Sequence, residues 1–299
     1  MARIGAVAAL LTSVAVSPAG AAGEWQRVGE NAQGGVSGIA YEGPAEDGAG
    51  VRVLVVHDNK RSGRLRLSRV THGEGSVSVT PLAWDGPEPG DLEAIDPIPG
   101  VPGEYLALTG RGIVFRLKVG ASTAQVVDYT PLPSIGEGDD FEGFALVARE
   151  GRLAALWADR GDGPGRPATL YAASVTFAAW GQPLFGAVSQ QTYRASYPAD
   201  DGTRHVSDLA VTDSGRLLVS SAADAGDDGP FDSAVSDAGR VTLSSAGRVR
   251  IALATSPTVL GTYPGYKVEA VECLPDSADA LLGTDDENAG GSVRAAPFC

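Results

Sequence analysis

The sequence predicts an all-β chain folded as a five-bladed β-propeller, its last blade closed by a strand from the N-terminus. Three observations lead there. Gly and Pro contribute 40 and 19 of the 299 residues, a density of breakers that long helices do not tolerate. Short apolar runs alternate with Gly, Asp and Pro, and no segment keeps a 3.6-residue hydrophobic period, as expected of antiparallel strands. One short motif also recurs five times, and a repeat of blade length is the mark of a propeller.

The first element is an export signal. Arg3 supplies a positive start, Ile4 to Val16 an apolar stretch too short to span a bilayer, and Ala19-Gly20-Ala21 a small-residue cleavage site. The expected organisation is therefore a signal peptide over 1–22 and one propeller domain over 23–299, with the product secreted or periplasmic. A lone strand-like piece follows, Trp25-Gln26-Arg27-Val28.

The five motifs are Val36-Ser37-Gly38-Ile39-Ala40, Leu92-Glu93-Ala94-Ile95-Asp96, Phe141-Glu142-Gly143-Phe144-Ala145, Val206-Ser207-Asp208-Leu209-Ala210 and Val268-Glu269-Ala270-Val271-Glu272. Their polar second positions are 56, 49, 65 and 62 residues apart, a spacing that fits one four-stranded blade each. Second apolar runs follow at 51–56, 105–108, 153–157, 217–219 and 280–282, and third runs at 64–70, 113–119 and 169–175. After 292–298 the chain ends one strand short of a full fifth blade. The piece at 25–28 supplies that strand, and pairing the chain ends leaves no open edge there.

Hydrophobic residues at 43% and charged residues at 20% are ordinary for a globular fold. The net charge of −14 argues against nucleic acid or an anionic membrane as partner, since both require a basic face. It is compatible with cations.

In a propeller the first strand of each blade lies nearest the axis, so Ser37, Glu93, Glu142, Ser207 and Glu269 are expected to gather at one mouth of the channel. An isolated Glu there would be read as a strand cap or a bond to the next blade. Three carboxylates around a narrow axis must instead be protonated or neutralised by a cation. Oxygen-only ligation favours Ca²⁺, which takes six to eight ligands in loose geometry.

The order Ser, Glu, Glu, Ser, Glu in five spaced strand starts resembles the soluble calcium-activated nucleotidase (apyrase) family. It also resembles the SdiA-regulated family of exported bacterial propellers, to which Val36-Ser37-Gly38-Ile39-Ala40 and Asp140-Phe141-Glu142-Gly143-Phe144-Ala145 are similar, and more distantly the phytase-like propellers with esterase-like activity. The resemblance spans the mature chain through its motif positions. It implies an axial calcium near Ser37, Glu93, Glu142, Ser207 and Glu269 without settling a reaction.

Second-strand ends rim the same face. Asp58, Arg111, Asp159, Arg160 and Asp286 are the catalytic candidates there, because a metal, a carboxylate-oriented water and arginine are what phosphoanhydride hydrolysis needs. Asp, Asn and Gly at strand ends are also what tight turns require. The stretch from Asp58 looks like the apyrase pattern but has Asn59 in place of a second Asp, and Ser220 to Asp224 offers no basic counterpart. Two functions follow: a calcium-stabilised binding module for an unknown small molecule or protein, or a calcium-dependent hydrolase of nucleotides or of phospho- or carboxyl esters. A propeller scaffold for protein partners is the third.

His57, His72 and His205 lack zinc-ligand spacing and read as surface or loop residues. Trp84, Trp157 and Trp180 read as fillers between blades. Cys273 and Cys299 permit one disulfide, but two strand spacings, roughly 10 Å, separate them unless the tail curls back. Their pairing stays open.

Overall fold

The computed structural model describes residues 23–46, 48–73 and 75–299; the export signal expected over 1–22 lies outside them. The first strand, β1 (Gln26–Gly29), belongs to the last blade. Blade 1 contains β2 (Gly38–Pro44), β3 (Gly50–Val56), β4 (Leu67–Gly73) and β5 (Ser76–Asp85). Blade 2 contains β6 (Leu92–Pro97), β7 (Glu104–Thr109), β8 (Ile113–Val119) and β9 (Thr123–Pro131). Blade 3 runs β10 (Phe141–Arg149), β11 (Arg152–Asp159) and β12 (Ala168–Phe177), and its outer edge is shared by β13 (Pro183–Phe185) and β14 (Ser189–Tyr193). Blade 4 holds β15 (Thr203–Val211), β16 (Arg216–Ala223), β17 (Asp232–Leu243) and β18 (Val249–Thr262). Blade 5 holds β19 (Val268–Cys273), β20 (Ala280–Thr284) and β21 (Gly291–Ala296).

The ring closes as the repeat predicts. β1 pairs antiparallel with β21, Gln26 opposite Val293, and becomes the outer strand of blade 5. The inner strands β2, β6, β10, β15 and β19 each pack against the next, and β19 returns to β2. A short parallel pairing of β5 with β9, Ala83 to Asp85 against Thr123 to Gln125, also ties blades 1 and 2 at their outer edges.

Sequence pattern follows depth. The second strands are buried on both faces, which is why Val53-Leu54-Val55-Val56 and Leu153 to Trp157 are continuously apolar. The outer strands β5, β9 and β18 are largely solvent-facing and mixed in character. Apolar side chains meet between blades, as with Leu108, Phe141 and Trp157 between blades 2 and 3, and Val36, Val55 and Leu281 between blades 5 and 1. Trp157 fills its gap, stacked on Tyr171 at 5.6 Å, and Trp84 packs edge-on to Phe115. Trp180 does not: it sits in the turn between β12 and β13, 68% exposed.

Cys273 and Cys299 are bonded, with Cα atoms 5.7 Å apart. The chain leaves β21 at Ala296 and crosses back over the blade, where the Cys299 N–H donates to the Ala278 carbonyl at 2.8 Å. The tail thus bridges the strand spacing that regular pairing would impose.

Candidate functional site

One backbone device delivers most of the motif side chains. At Glu93, Glu142 and Glu269 the inner strand carries one residue more than its partner: Leu92 and Ala94 face Thr109 and Leu108, Phe141 and Gly143 face Asp159 and Ala158, and Val268 and Ala270 face Thr284 and Gly283. A bulge of this kind re-aims the extra side chain without flipping the rest of the strand. Blade 4 has a longer irregularity, between Arg204 and Asp208, that contains Ser207. Ser37 stands just before β2, its N–H donating to Val56. All five residues are buried.

The ring brings its own cations. Arg204 in β15 reaches Glu142 at 3.5 Å and Glu269 at 2.9 Å, joining blades 3, 4 and 5, and also holds Asp224. Arg160 meets Glu142 at 3.1 Å and Asp140 at 3.5 Å. Lys267, fully buried, lies 3.1 Å from Glu269 and also pairs with Glu287. Burial works against these charges, yet the carboxylates facing them hold Arg204 and Lys267 above their ordinary pKa. Glu269 is pushed up to about 7 by burial despite Lys267 and Arg204. Among the described residues Glu93 has no ion pair; Lys60 acts on it only through charge, and burial followed by repulsion from Glu142, Asp91, Asp58 and Glu269 drives it well above the usual range.

Sequence reading missed Arg204 and Lys267. One signal was present: Lys267 stands two residues before Glu269, in a chain with lysine at only three positions. The cation sought between Ser220 and Asp224 sits instead on the neighbouring strand.

The oxygens left for a bound cation can be identified. Ser37 Oγ and Ser207 Oγ are buried without a hydrogen-bond partner, and Glu93 has no ion pair among the described residues. The ion pairs of Glu142 and Glu269 all run through Oε1, leaving each Oε2 outside them. Among the described residues no three His, Cys, Asp or Glu side chains gather closely enough to hold a metal unaided. The donor set fits a hard ion completed by hydroxyls, main-chain carbonyls or water.

The catalytic candidates divide. Asp58 lines a cavity of 270 Å³ with Lys60, Arg61, Arg64 and Glu287, and its pKa is raised by burial. Arg160 belongs to the ring, while Arg111 is exposed at the turn between β7 and β8 and acts on Asp140 through charge. Asp159 Oδ1 accepts from the Asp140 N–H at 3.0 Å and from Arg166 at 2.6 Å. Asp286 accepts from the Lys267 N–H at 2.7 Å and from Thr284 Oγ1 at 2.8 Å. These last two shape turns. Gly35 is needed against Asp285, because a Cβ there would lie 2.2 Å from that carboxylate.

Two histidines are not surface residues. His205 is buried against the Gly163 carbonyl at 2.8 Å. His57 is 2% exposed, Nδ1 2.7 Å from the Gly35 carbonyl and Nε2 2.9 Å from Ser68 Oγ; burial lowers its pKa to about 4. The unfolded chain takes up a proton near pH 6.5 that the folded state refuses until pH 4, so stability falls with pH across that window. Between pH 7 and 4.5 the wild type should lose about 2–3 kcal/mol more than His57→Gln in denaturant titrations; parallel profiles would refute this.

No family model matches the sequence, and no curated protein matches it significantly. Solved structures do match. A GH43 endo-arabinanase from Bacillus licheniformis is 12% identical over 91% of this chain and 96% of its own, with a TM-score of 0.51. An exo-1,5-alpha-L-arabinanase from a bovine ruminal metagenomic library is 12% identical over 91% and 95%, with a TM-score of 0.47. A GH43 protein from Bacillus licheniformis is 14% identical, with a TM-score of 0.42; the match covers 74% of this chain and 43% of that one, less than half its length. At such identities the likeness is one of fold, and the fold is the five-bladed β-propeller.

Proposed function

We propose that this protein is an exported, calcium-stabilised binding module of the SdiA-regulated type, which takes its ligand at the channel mouth. The observation that carries the reading is a set of buried motif side chains: Glu93, Glu142 and Glu269, each set at a bulge, repel one another, and the hydroxyls of Ser37 and Ser207 are buried without a partner. When bound, calcium supplies the positive charge and ligand-hungry coordination that those oxygens lack. Ser37, Glu93, Glu142, Ser207 and Glu269 would hold it. The ligand sits beside the ring in the cavity of Asp58, Lys60, Arg61, Arg64 and Glu287. Binding is favoured over hydrolysis because Asp159 and Asp286 already serve turns. Among the described residues no helix is long and apolar enough to cross a membrane.

Calcium at about a hundredfold over its Kd should stabilise the wild type by about 2.7 kcal/mol, read as a rise in Tm that EGTA reverses. Glu93→Gln should lose that rise yet melt no lower than wild type in EGTA, since it removes a buried carboxylate that four others repel. An equal calcium response in the variant, or none in the wild type, would overturn the reading. Calcium-dependent phosphate release from nucleoside di- or triphosphates would overturn the preference for binding over hydrolysis.

A further inference from the structure

Further along the inner strands lies a second acidic tier, built on different chemistry from the ring. Asp96 in β6, Asp208 in β15 and Glu272 in β19 line a cavity of 420 Å³ together with Tyr41, Phe144 and Leu146. Each carboxylate is tethered to the main chain of the next blade. The Leu146 N–H donates to Asp96 Oδ2 at 2.5 Å, the Val271 N–H to Asp208 Oδ2 at 2.9 Å, and the Tyr41 N–H to Glu272 Oε1 at 2.7 Å. These bonds fix the groups and leave an oxygen of each outside them. Asp208 is 4% exposed, lines the cavity, and its Oδ1 has no hydrogen-bond partner.

The two tiers differ in compensation. At the mouth, Arg160, Arg204 and Lys267 face the carboxylates. Here the three carboxylates have no ion-pair partner among the described residues; burial pushes all of them up, repulsion from Asp96 adds to it at Asp208 and Glu272, and main-chain N–H groups, those of Leu209 and Phe144 at Asp208 included, oppose it. The space between the carboxylates is bounded by aromatic and aliphatic walls. Buried acceptors without counter-charge in a partly apolar cavity complement a ligand that carries both positive N–H donors and a carbon body. The Tyr41 and Phe144 rings further favour an ammonium over a neutral group.

We propose that this cavity binds a small organic amine cation, with its ammonium donating to Asp208 Oδ1 and the neighbouring carboxylates, and its carbon body against Tyr41, Phe144 and Leu146. The proposal uses none of the five ring residues, although Asp208 directly follows Ser207 in β15, and the calcium arm of the test separates the two readings.

Isothermal titration of the full protein with 1,4-diaminobutane and with 2-phenylethylamine tests it, with 2-phenylethanol as the uncharged counterpart and Ca²⁺ alone as the metal arm. At least one amine should bind saturably, and the alcohol should not. Asp208→Asn and Glu272→Gln keep the shape and an acceptor for the tethering N–H while removing charge. Each should weaken amine binding roughly ten- to hundredfold, and a melting curve establishes that the variant is folded. Absence of saturable binding by either amine at millimolar concentration, unchanged affinity in both folded variants, equal binding of the alcohol, or displacement of the amine by calcium would each overturn the proposal.

Discussion

Replacing Lys267 by methionine is expected to destabilise the protein by about 3–5 kcal/mol, which for a chain of this size lowers Tm by roughly 10 °C. Lys267 is fully buried and stands between Glu269 at 3.1 Å and Glu287. Methionine fills a similar volume, so the effect is not one of cavity creation. Its origin is the carboxylate left behind: Glu269 already sits near pKa 7 by burial while two cations face it, and losing one leaves it charged without compensation or forces a proton onto it. The double variant Lys267→Met with Glu269→Gln removes both charges and should recover a large part of the loss, because neutral groups of the same shape replace a buried pair at little cost. A Tm within about 2 °C of wild type for Lys267→Met would contradict the view that the ring is held by internal cations. Calcium should protect this single variant more than it protects the wild type, since the ion supplies the missing charge.

The second large effect concerns the closing blade. Cys299→Ser opens a covalent loop with a sequence separation of 26, whose chain-entropy contribution is about 3.5 kcal/mol. The position magnifies the consequence. β21 is the strand on which β1 docks to close the ring, and the C-terminal tail is fastened across that blade by the disulfide and by the Cys299 N–H bond to Ala278. Releasing the tail frees the end of β21 and with it the closure strand. A fall in Tm of roughly 10 °C is expected, together with new proteolytic cuts near residues 23–29, and a reducing agent should reproduce both in the wild type. Identical melting of the oxidised and reduced protein would show that closure rests on strand pairing alone.

Fold and site were legible in the sequence to different depths. The inner strands could be read because the motif is local: the apolar positions around Glu93, Glu142 and Glu269 declare the strand, and the recurrence of the motif every 49 to 65 residues declares the blade. The closure by β1 could be read because blade 5 lacks a strand. The polar side chains of the motif, expected at one mouth of the channel, are buried. What was missed depends on which strands become neighbours. Arg204 compensates Glu142 and Glu269 across 62 and 65 residues of sequence, and no periodicity shows that. His57 looks like a turn residue, yet the Gly35 carbonyl and Ser68 hydroxyl close over it. The disulfide required knowing that three residues after β21 cross the blade. Asp96, Asp208 and Glu272 lie within or beside the repeated motif, but their shared cavity appears only when five inner strands are set around one axis.

The central claim, that oxygens of the axial ring seat a hard cation, is tested most directly by diffraction from crystals grown with calcium, using the anomalous signal of the ion. The account predicts one peak on the channel axis, within about 2.3–2.6 Å of oxygens from Glu93 and at least two other ring residues. Water alone on the axis at saturating calcium, with Arg204 and Lys267 still paired to Glu142 and Glu269, would contradict it.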